Sequence, residues 1–175
     1  VQQVGGLVWL GGSQHSMVAY RSPGLSLVAA HVTRSGGDLQ SVASNGSVVY
    51  GGCHCGDWTY SGTSDYDSLR PGQTAVSWKQ ADKIAFVGAW DASTGSFLPG
   101  FAPQWRAAKG RGAWSLLVAS DGTLWAGGTF TSVVREDGRN QWVGGFARFA
   151  ARPSTSPSRP TGTRVALTRG VATVT

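Results

Sequence analysis

Three consecutive residues, Cys53, His54 and Cys55, form the densest group of soft metal ligands in the sequence. Residues of a strand alternate between two faces, so the two cysteines would share one face and His54 would point to the other. In a straight strand the cysteine Cα atoms would be about 6.5–7 Å apart, at the upper edge of disulfide geometry. We therefore expect a Cys53–Cys55 disulfide, provided that the chain bends here, which the glycines on both sides would permit.

A metal site at the same cluster is the alternative. A structural Zn²⁺ ion takes four ligands, and no further Cys or His stands at a recognised spacing from Cys53, His54 and Cys55. His15 falls opposite Cys55 in the repeat described below, so it could contribute only from a neighbouring unit of the fold. The sequence thus favours a disulfide or two unpaired buried thiols. The weaker interpretation is a Zn²⁺ site formed by Cys53, His54, Cys55 and His15.

The following segment, 53–82, combines aromatic rings with carboxylates. Aromatic rings stack on the apolar face of a sugar, and carboxylates accept hydrogen bonds from its hydroxyl groups, so the combination suits carbohydrate recognition. An ordinary loop whose rings fold back onto the protein would have the same composition, and both interpretations stay open. Asp65 and Asp67 could also supply oxygen ligands to Ca²⁺, although a full ligand set is not evident. The candidate ligand-binding residues are Trp58, Tyr60, Asp65, Tyr66, Asp67 and Trp78.

Motifs for catalysis are absent from the sequence. It contains no Ser-His-Asp arrangement, no Gly-rich phosphate loop and no His-Glu-x-x-His motif. Glycoside hydrolysis needs only a pair of carboxylates, so Asp57, Asp65, Asp67 and Asp82 keep that chemistry open. The single glutamate, Glu136, lies in a charged turn where solvation explains it. We predict no catalytic residue and no cofactor.

Composition and charge restrict the class of protein. The 26 Gly and 8 Trp, with one Glu and three Lys, favour strands over helices. The net charge of +6 includes four arginines in residues 151–175, which leaves 11 basic against 9 acidic residues elsewhere. Nucleic-acid-binding proteins typically carry a clustered basic face. Here the basic excess lies mainly in residues 151–175, so we expect no nucleic-acid partner. No apolar run approaches the roughly 20 residues of a membrane span.

A repeated pattern must position these residues. A turn pair, four strand residues with an aromatic, and Gly-Gly occur at 5–12, 45–52 and 121–128. Each third strand ends in an aromatic: Tyr20, Trp90 and Phe149. Asn-Gly and Asp-Gly turns predict hairpins whose two central residues have positive φ. The second and third repeats carry loops at 53–82 and 131–141. Four strands in about 40 residues predict β-propeller blades.

The segments 121–133 (Asp-Gly-Thr-Leu-Trp-Ala-Gly-Gly-Thr-Phe-Thr-Ser-Val) and 90–103 (Trp-Asp-Ala-Ser-Thr-Gly-Ser-Phe-Leu-Pro-Gly-Phe-Ala-Pro) resemble the delta-60-type repeat propellers of large secreted actinobacterial proteins. The resemblance covers residues 1–150 and implies secretion or surface display rather than a reaction. Residues 161–175 are similar to the opening strands of a fibronectin type III or related immunoglobulin-like domain. A Pro/Ser-rich linker at 151–160 joins the two parts.

These observations predict an all-β chain. About three four-stranded blades, some incomplete, form part of a β-propeller, followed by a linker and the first strands of an immunoglobulin-like module. The chain opens inside a repeat, so we expect an N-terminal part to be missing and the remaining blades of the same protein to be its partners. The expected function is non-catalytic binding or scaffolding outside the cell or on its surface, with a glycan as first-choice ligand. A secreted carbohydrate-active enzyme and a structural part of an extracellular or virion assembly are the alternatives.

Overall fold

The computed structural model describes residues 1–34, 37–64, 78–106, 112–135 and 137–151, and the backbone of 165–168 and 171–174. The described residues are organised in several antiparallel sheets, none of them closed, and include no helix that could cross a membrane. The predicted all-β class is confirmed. The strands are, in chain order, β1 (Gln2–Val4), β2 (Leu7–Gly11), β3 (Ser16–Arg21), β4 (Leu27–Thr33), β5 (Leu39–Ser44), β6 (Val48–Cys53), β7 (Trp58–Ser61), β8 (Gln80–Lys83), β9 (Val87–Asp91), β10 (Gln104–Arg106), β11 (Ala113–Val118), β12 (Leu124–Gly128), β13 (Ser132–Val134), β14 (Asn140–Trp142), β15 (Phe146–Phe149), β16 (Val165–Thr168) and β17 (Val171–Val174).

Three sheets correspond to the three sequence repeats. The first sheet has the order β1-β2-β3-β4-β7-β8, the second β5-β6-β9 and the third β11-β12-β15. A bridge between Trp90 and Phe97 adds a short fourth segment beside β9. A small sheet, β10-β13-β14, and the hairpin β16–β17 complete the described strands.

In their described parts, the two insertions form antiparallel strand pairs rather than the loops that the sequence predicts. Between β6 and β9, the hairpin β7–β8 returns to the first sheet and pairs with its fourth strand, β4. Between β12 and β15, the hairpin β13–β14 pairs in the same way with β10, which precedes the third sheet. Each insertion thus adds strands to an edge left by the preceding repeat, which covers that edge.

The second and third repeats align one residue differently from the alignment that their Gly-Gly pairs predict. Gly52, the second glycine of its pair, corresponds to Gly127, the first glycine of its pair. Gly52 pairs with Ser41 beside a bulge, as Gly127 pairs with Ser115 beside a bulge. Turn length explains the shift, because the Asn45 N–H donates to the Val48 carbonyl across two residues, whereas the Ala119 N–H donates to the Thr123 carbonyl across three. In the shorter turn only Gly46 (φ 92°) has positive φ, and the Asn45 side chain accepts hydrogen bonds from the Ser47 and Val48 N–H groups. Likewise Gly122 has positive φ while the Asp121 carboxylate accepts the Thr123 N–H, which lowers the pKa of Asp121. The prediction of two positive-φ turn residues is therefore wrong in these two turns.

Two apolar cores lie between the sheets. The first joins the first and second sheets around Trp9, Met17 and Trp90, which are buried. The second joins the second and third sheets around Leu124 and Phe130. Adjacent sheets therefore bury one face against the other, which is how short strands acquire a core.

Candidate functional site

Cys53 and Cys55 are at disulfide distance, as predicted. Their Cα atoms are 5.3 Å apart, closer than in a straight strand, because β6 ends at Cys53. The Cys53 N–H donates to the Phe86 carbonyl (2.8 Å), and the Phe86 N–H donates to the Cys55 carbonyl (3.0 Å). These two hydrogen bonds join the start of the insertion to the segment before β9. Both cysteines are buried. The flanking Gly52 serves close packing between sheets, because a Cβ there would meet Ser41 and Ala113.

His15 and His54 approach one carboxylate, that of Asp38. The Nε2 atom of His15 lies 3.4 Å from Asp38 Oδ1, and that of His54 lies 3.7 Å from Oδ2. The Gly37 N–H donates to His15 Nδ1 (2.9 Å), so a neutral His15 carries its proton on Nε2, towards Asp38. The His54 ring also packs on Trp114 of the third sheet, with centroids 5.3 Å apart.

This arrangement links all three repeats but lacks the donor set of a metal site. The cysteine sulfurs are joined to each other, so they are not thiolate ligands. The described part of the chain contains no group of three or more His, Cys, Asp or Glu residues arranged to hold a metal ion. The structure therefore brings the predicted residues His15 and His54 together as a carboxylate-bridged pair next to the cysteines.

Three of the four predicted ligand-binding aromatics, Trp58, Tyr60 and Trp78, lie together on one face of the first sheet. Trp58 and Tyr60 alternate with buried Thr59 along β7 and are half-buried. The Lys83 Nζ atom lies 3.7 Å from the centroid of the Trp58 ring. Trp78, which is 46% exposed, packs edge-on against Tyr60 with centroids 5.3 Å apart. We call these four side chains the aromatic platform.

The platform arises from strand pairing. Trp58 stands opposite Lys83 on β8, and Tyr60 stands opposite Ala81. Directly opposed residues point to the same face of a sheet, so two rings and an ammonium group are placed side by side. The insertion supplies these strands at the edge of the first sheet, where Trp78 is 46% exposed. Asp65, Tyr66 and Asp67 lie outside the described residues.

A cleft of about 420 Å³ lies on the opposite face of the same hairpin. It is bounded by β4, by Ser61 and Gln80 of the hairpin, and by the turn at Thr94 and Gly95. The Asp91 carboxylate holds this turn, accepting from the Ser93 hydroxyl and from the Ser93 and Thr94 N–H groups; these bonds lower the pKa of Asp91 to about 2. No Asp or Glu is among the described residues that line the cleft.

His31, at the floor of this cleft, is a residue that sequence analysis missed. Its Nε2 donates to the Gly95 carbonyl (2.7 Å), and its ring packs edge-on against Trp90. The side chain is 2% exposed, and Nδ1 has no hydrogen-bond partner within the described ranges. Burial lowers the pKa of His31, while the Gly95 bond and the charge of Asp82 oppose that effect. Its position inside an apolar strand, Leu27–Thr33, is the sequence signal that marks it as buried.

Comparison with known proteins adds no identity: no protein-family model matches the chain, and no curated protein matches it.

Proposed function

We propose that this chain is a non-catalytic extracellular binding scaffold, in which stacked propeller-type sheets present the aromatic platform to a glycan. The observation that carries the proposal is the shared face of Trp58, Tyr60 and Trp78 beside Lys83. Flat, half-exposed rings suit the apolar face of a pyranose, and the ammonium group can donate to hydroxyl or carboxylate oxygens of the sugar.

Several features support the scaffold part of the proposal. Three sheets follow the same repeat and bury one face against the next, as blades of a propeller do. The delta-60-type resemblance and the immunoglobulin-like tail belong to this proposal, as do further sheets of the same protein, in one or in several copies, as partners. A paired Cys53–Cys55 is typical of proteins exported to an oxidising compartment.

The two alternative functions require different structural features. A glycoside hydrolase needs two carboxylates about 5–10 Å apart in one cleft, whereas the described lining of the cleft beside β4 offers His31, Ser61 and Gln80. A purely structural component of an extracellular or virion assembly would need no accessible rings at the edge of its first sheet. The platform therefore favours the glycan-binding proposal over both.

Binding assays on the intact chain test the proposal. We would titrate soluble oligomers of neutral hexoses, N-acetylhexosamines and uronic acids and follow binding by calorimetry. The proposal expects at least one class to bind, with affinity reduced at least about tenfold in Trp58→Ala and in Trp78→Ala. Trp142→Ala, which removes a 77% exposed ring on a different sheet, is the matched control and should bind normally. Release of shortened sugars during the titration would instead support the enzyme.

A further inference from the structure

The third sheet has one exposed apolar face, directed away from the second sheet. Leu117, Trp125 and Phe146 lie on it and are 63%, 40% and 70% exposed. Trp125 stands opposite Leu117 and Arg148 in the strand pairing. We call this surface the front face of the third sheet.

The same register position carries a covered aromatic in the other two sheets. Trp9, Tyr50 and Trp125 each precede by two residues the glycines Gly11, Gly52 and Gly127. Trp9 is fully buried in the first inter-sheet core, and Tyr50 packs against the second. Trp125 is 40% exposed, and no described sheet packs against it. In the first and second sheets, the face that carries this aromatic packs against the next sheet. In the third sheet, the equivalent face is the front face, and no described sheet packs against it.

The glycines show the same repetition in the contacts across each interface. A Cβ on Gly11 would lie 3.0 Å from Leu39 Cβ and 3.1 Å from Val42 Cγ2, both on the first strand of the next sheet. A Cβ on Gly52 would lie 3.2 Å from the Ala113 carbonyl oxygen and from Leu116 Cγ, at the equivalent places in β11.

At Gly127 that neighbour is missing. The three nearest atoms to a Cβ there belong to Ser115 and Phe146, both of the third sheet. The third sheet thus has the close-packing glycine of the interface, but in the described structure no further sheet packs against it.

The opposite side of this interface is available at the other end of the chain. Val49 and Trp90 are the buried pair that the second sheet turns towards the first, and Val49 stands opposite Trp90. Val8 and Tyr20 stand opposite each other at the same register position of the first sheet. They are half-buried and belong to neither inter-sheet core. We call this surface the back face of the first sheet.

We propose that the front face of the third sheet docks against the back face of the first sheet in a second copy of this chain. The contact repeats the interface that already joins the sheets within one copy, so the two copies associate head to tail. Such a contact is heterologous, and it either closes into a ring or extends into a chain of copies. Two copies would contribute six sheets, within the four to eight blades of known propellers. This inference rests on the proposed stacking of sheets but not on glycan binding.

Mass measurement by analytical ultracentrifugation over a range of concentrations tests the inference. The wild-type chain should sediment as a dimer of its 18.2 kDa mass, or as larger species, with the monomer appearing on dilution. Trp125→Glu on the front face and Tyr20→Glu on the back face should each raise the dissociation constant at least about tenfold. Trp142→Glu, an exposed tryptophan of the small sheet, should associate as the wild type does.

Mixing the two variants distinguishes head-to-tail docking from any other association. Trp125→Glu retains an intact back face and Tyr20→Glu an intact front face, so the mixture should form a 1:1 dimer that neither forms alone. Leu117→Lys, at a more exposed position of the front face, replaces Trp125→Glu if circular dichroism shows that variant unfolded. A wild-type chain that stays monomeric, or aggregation that neither front-face variant relieves, would overturn the inference. Glycan titration of the monomeric variant is a separate readout, so loss of one property is not mistaken for loss of the other.

Discussion

Gly52 of the second sheet packs against the backbone of Ala113 in the third: a Cβ atom at position 52 would lie 3.2 Å from the Ala113 carbonyl oxygen. It would also lie 2.7 Å from the Ser41 hydroxyl oxygen of its own sheet. Glycine at position 52 therefore permits the close approach of these two sheets, and a methyl group there requires the Ser41 hydroxyl to move and the Ala113 backbone to give by a few tenths of an ångström.

We predict that Gly52→Ala lowers the free energy of unfolding by about 1–3 kcal/mol, the usual cost of overpacking a core. Gly56→Ala is the control, because nothing lies within 4 Å of a Cβ there and its φ is not positive. Urea denaturation of both variants measures the difference. Equal stability of the two would mean that the sheets do not pack as closely as described.

The Cys53–Cys55 pair gives a second prediction. Intact mass under denaturing conditions should rise by about two mass units on reduction, because two sulfur–hydrogen bonds form. The bond closes a very short loop, so the chain-entropy relation assigns it only about 1.5 kcal/mol. Cys53→Ser/Cys55→Ser should therefore still fold, with a midpoint of denaturation modestly lower than that of the wild type. Unchanged mass on reduction would contradict the pairing.

His31 predicts a pH dependence of stability. Burial places its folded-state pKa below the unfolded value of about 6.5, so the unfolded state binds more protons as the pH falls through that region. The contribution of neutral His31 is complete above about pH 6.5 and declines as the pH falls towards the lower folded-state pKa. The free energy of unfolding should thus drop between pH 7.5 and pH 5, and the drop should be smaller in His31→Gln. The same slope in both proteins would exclude His31 as the cause.

Lys83 predicts a graded effect on the platform. Its ammonium group lies over the Trp58 ring, a contact worth about 0.5–1 kcal/mol at an exposed site. Lys83→Met keeps the apolar stem and removes the charge, so affinity for a bound uronic-acid oligomer should fall about threefold or more, with less change for a neutral hexose oligomer. Lys79→Met, on the same hairpin but lining the opposite cleft, serves as the control. An equal loss in both variants would point to a general charge effect.

The sequence predicts the strands better than their partners. Alternation and turn residues locate β2, β6 and β12, and the aromatic ends of the third strands at Tyr20, Trp90 and Phe149 agree with the observed register. The pairing of β7 with β4 depends on an edge supplied by the preceding repeat, and no local pattern in 53–82 encodes it. The turn at 119–123 is one residue longer than the turn at 45–48, and this difference moves the register by one residue.

The candidate site follows the same division. Period-two alternation predicts that Trp58 and Tyr60 lie on one face. Cys53 and Cys55 are only two residues apart, so the sequence also predicts that the chain bends there if they form a disulfide. Asp38 bridges His15 and His54 only because the first two sheets stack, which is a tertiary effect. His31 likewise becomes a buried histidine through the Asp91–Gly95 turn of the next repeat, a long-range contact that a reading of β4 alone does not supply.

The indole N–H signals of the platform provide the sharpest test of glycan binding. In a two-dimensional NMR titration of the ¹⁵N-labelled chain with neutral, N-acetylated and uronic-acid oligosaccharides, the signals assigned to Trp58 and Trp78 through their alanine variants should shift with the sugar. Those of the buried Trp9 and Trp90, and of the exposed Trp142, should stay in place. Saturable shifts confined to Trp58 and Trp78 are the result that we predict. If a folded sample shows no shift of the Trp58 and Trp78 signals with any of these oligosaccharides, the proposal that this protein binds glycans through the platform is contradicted.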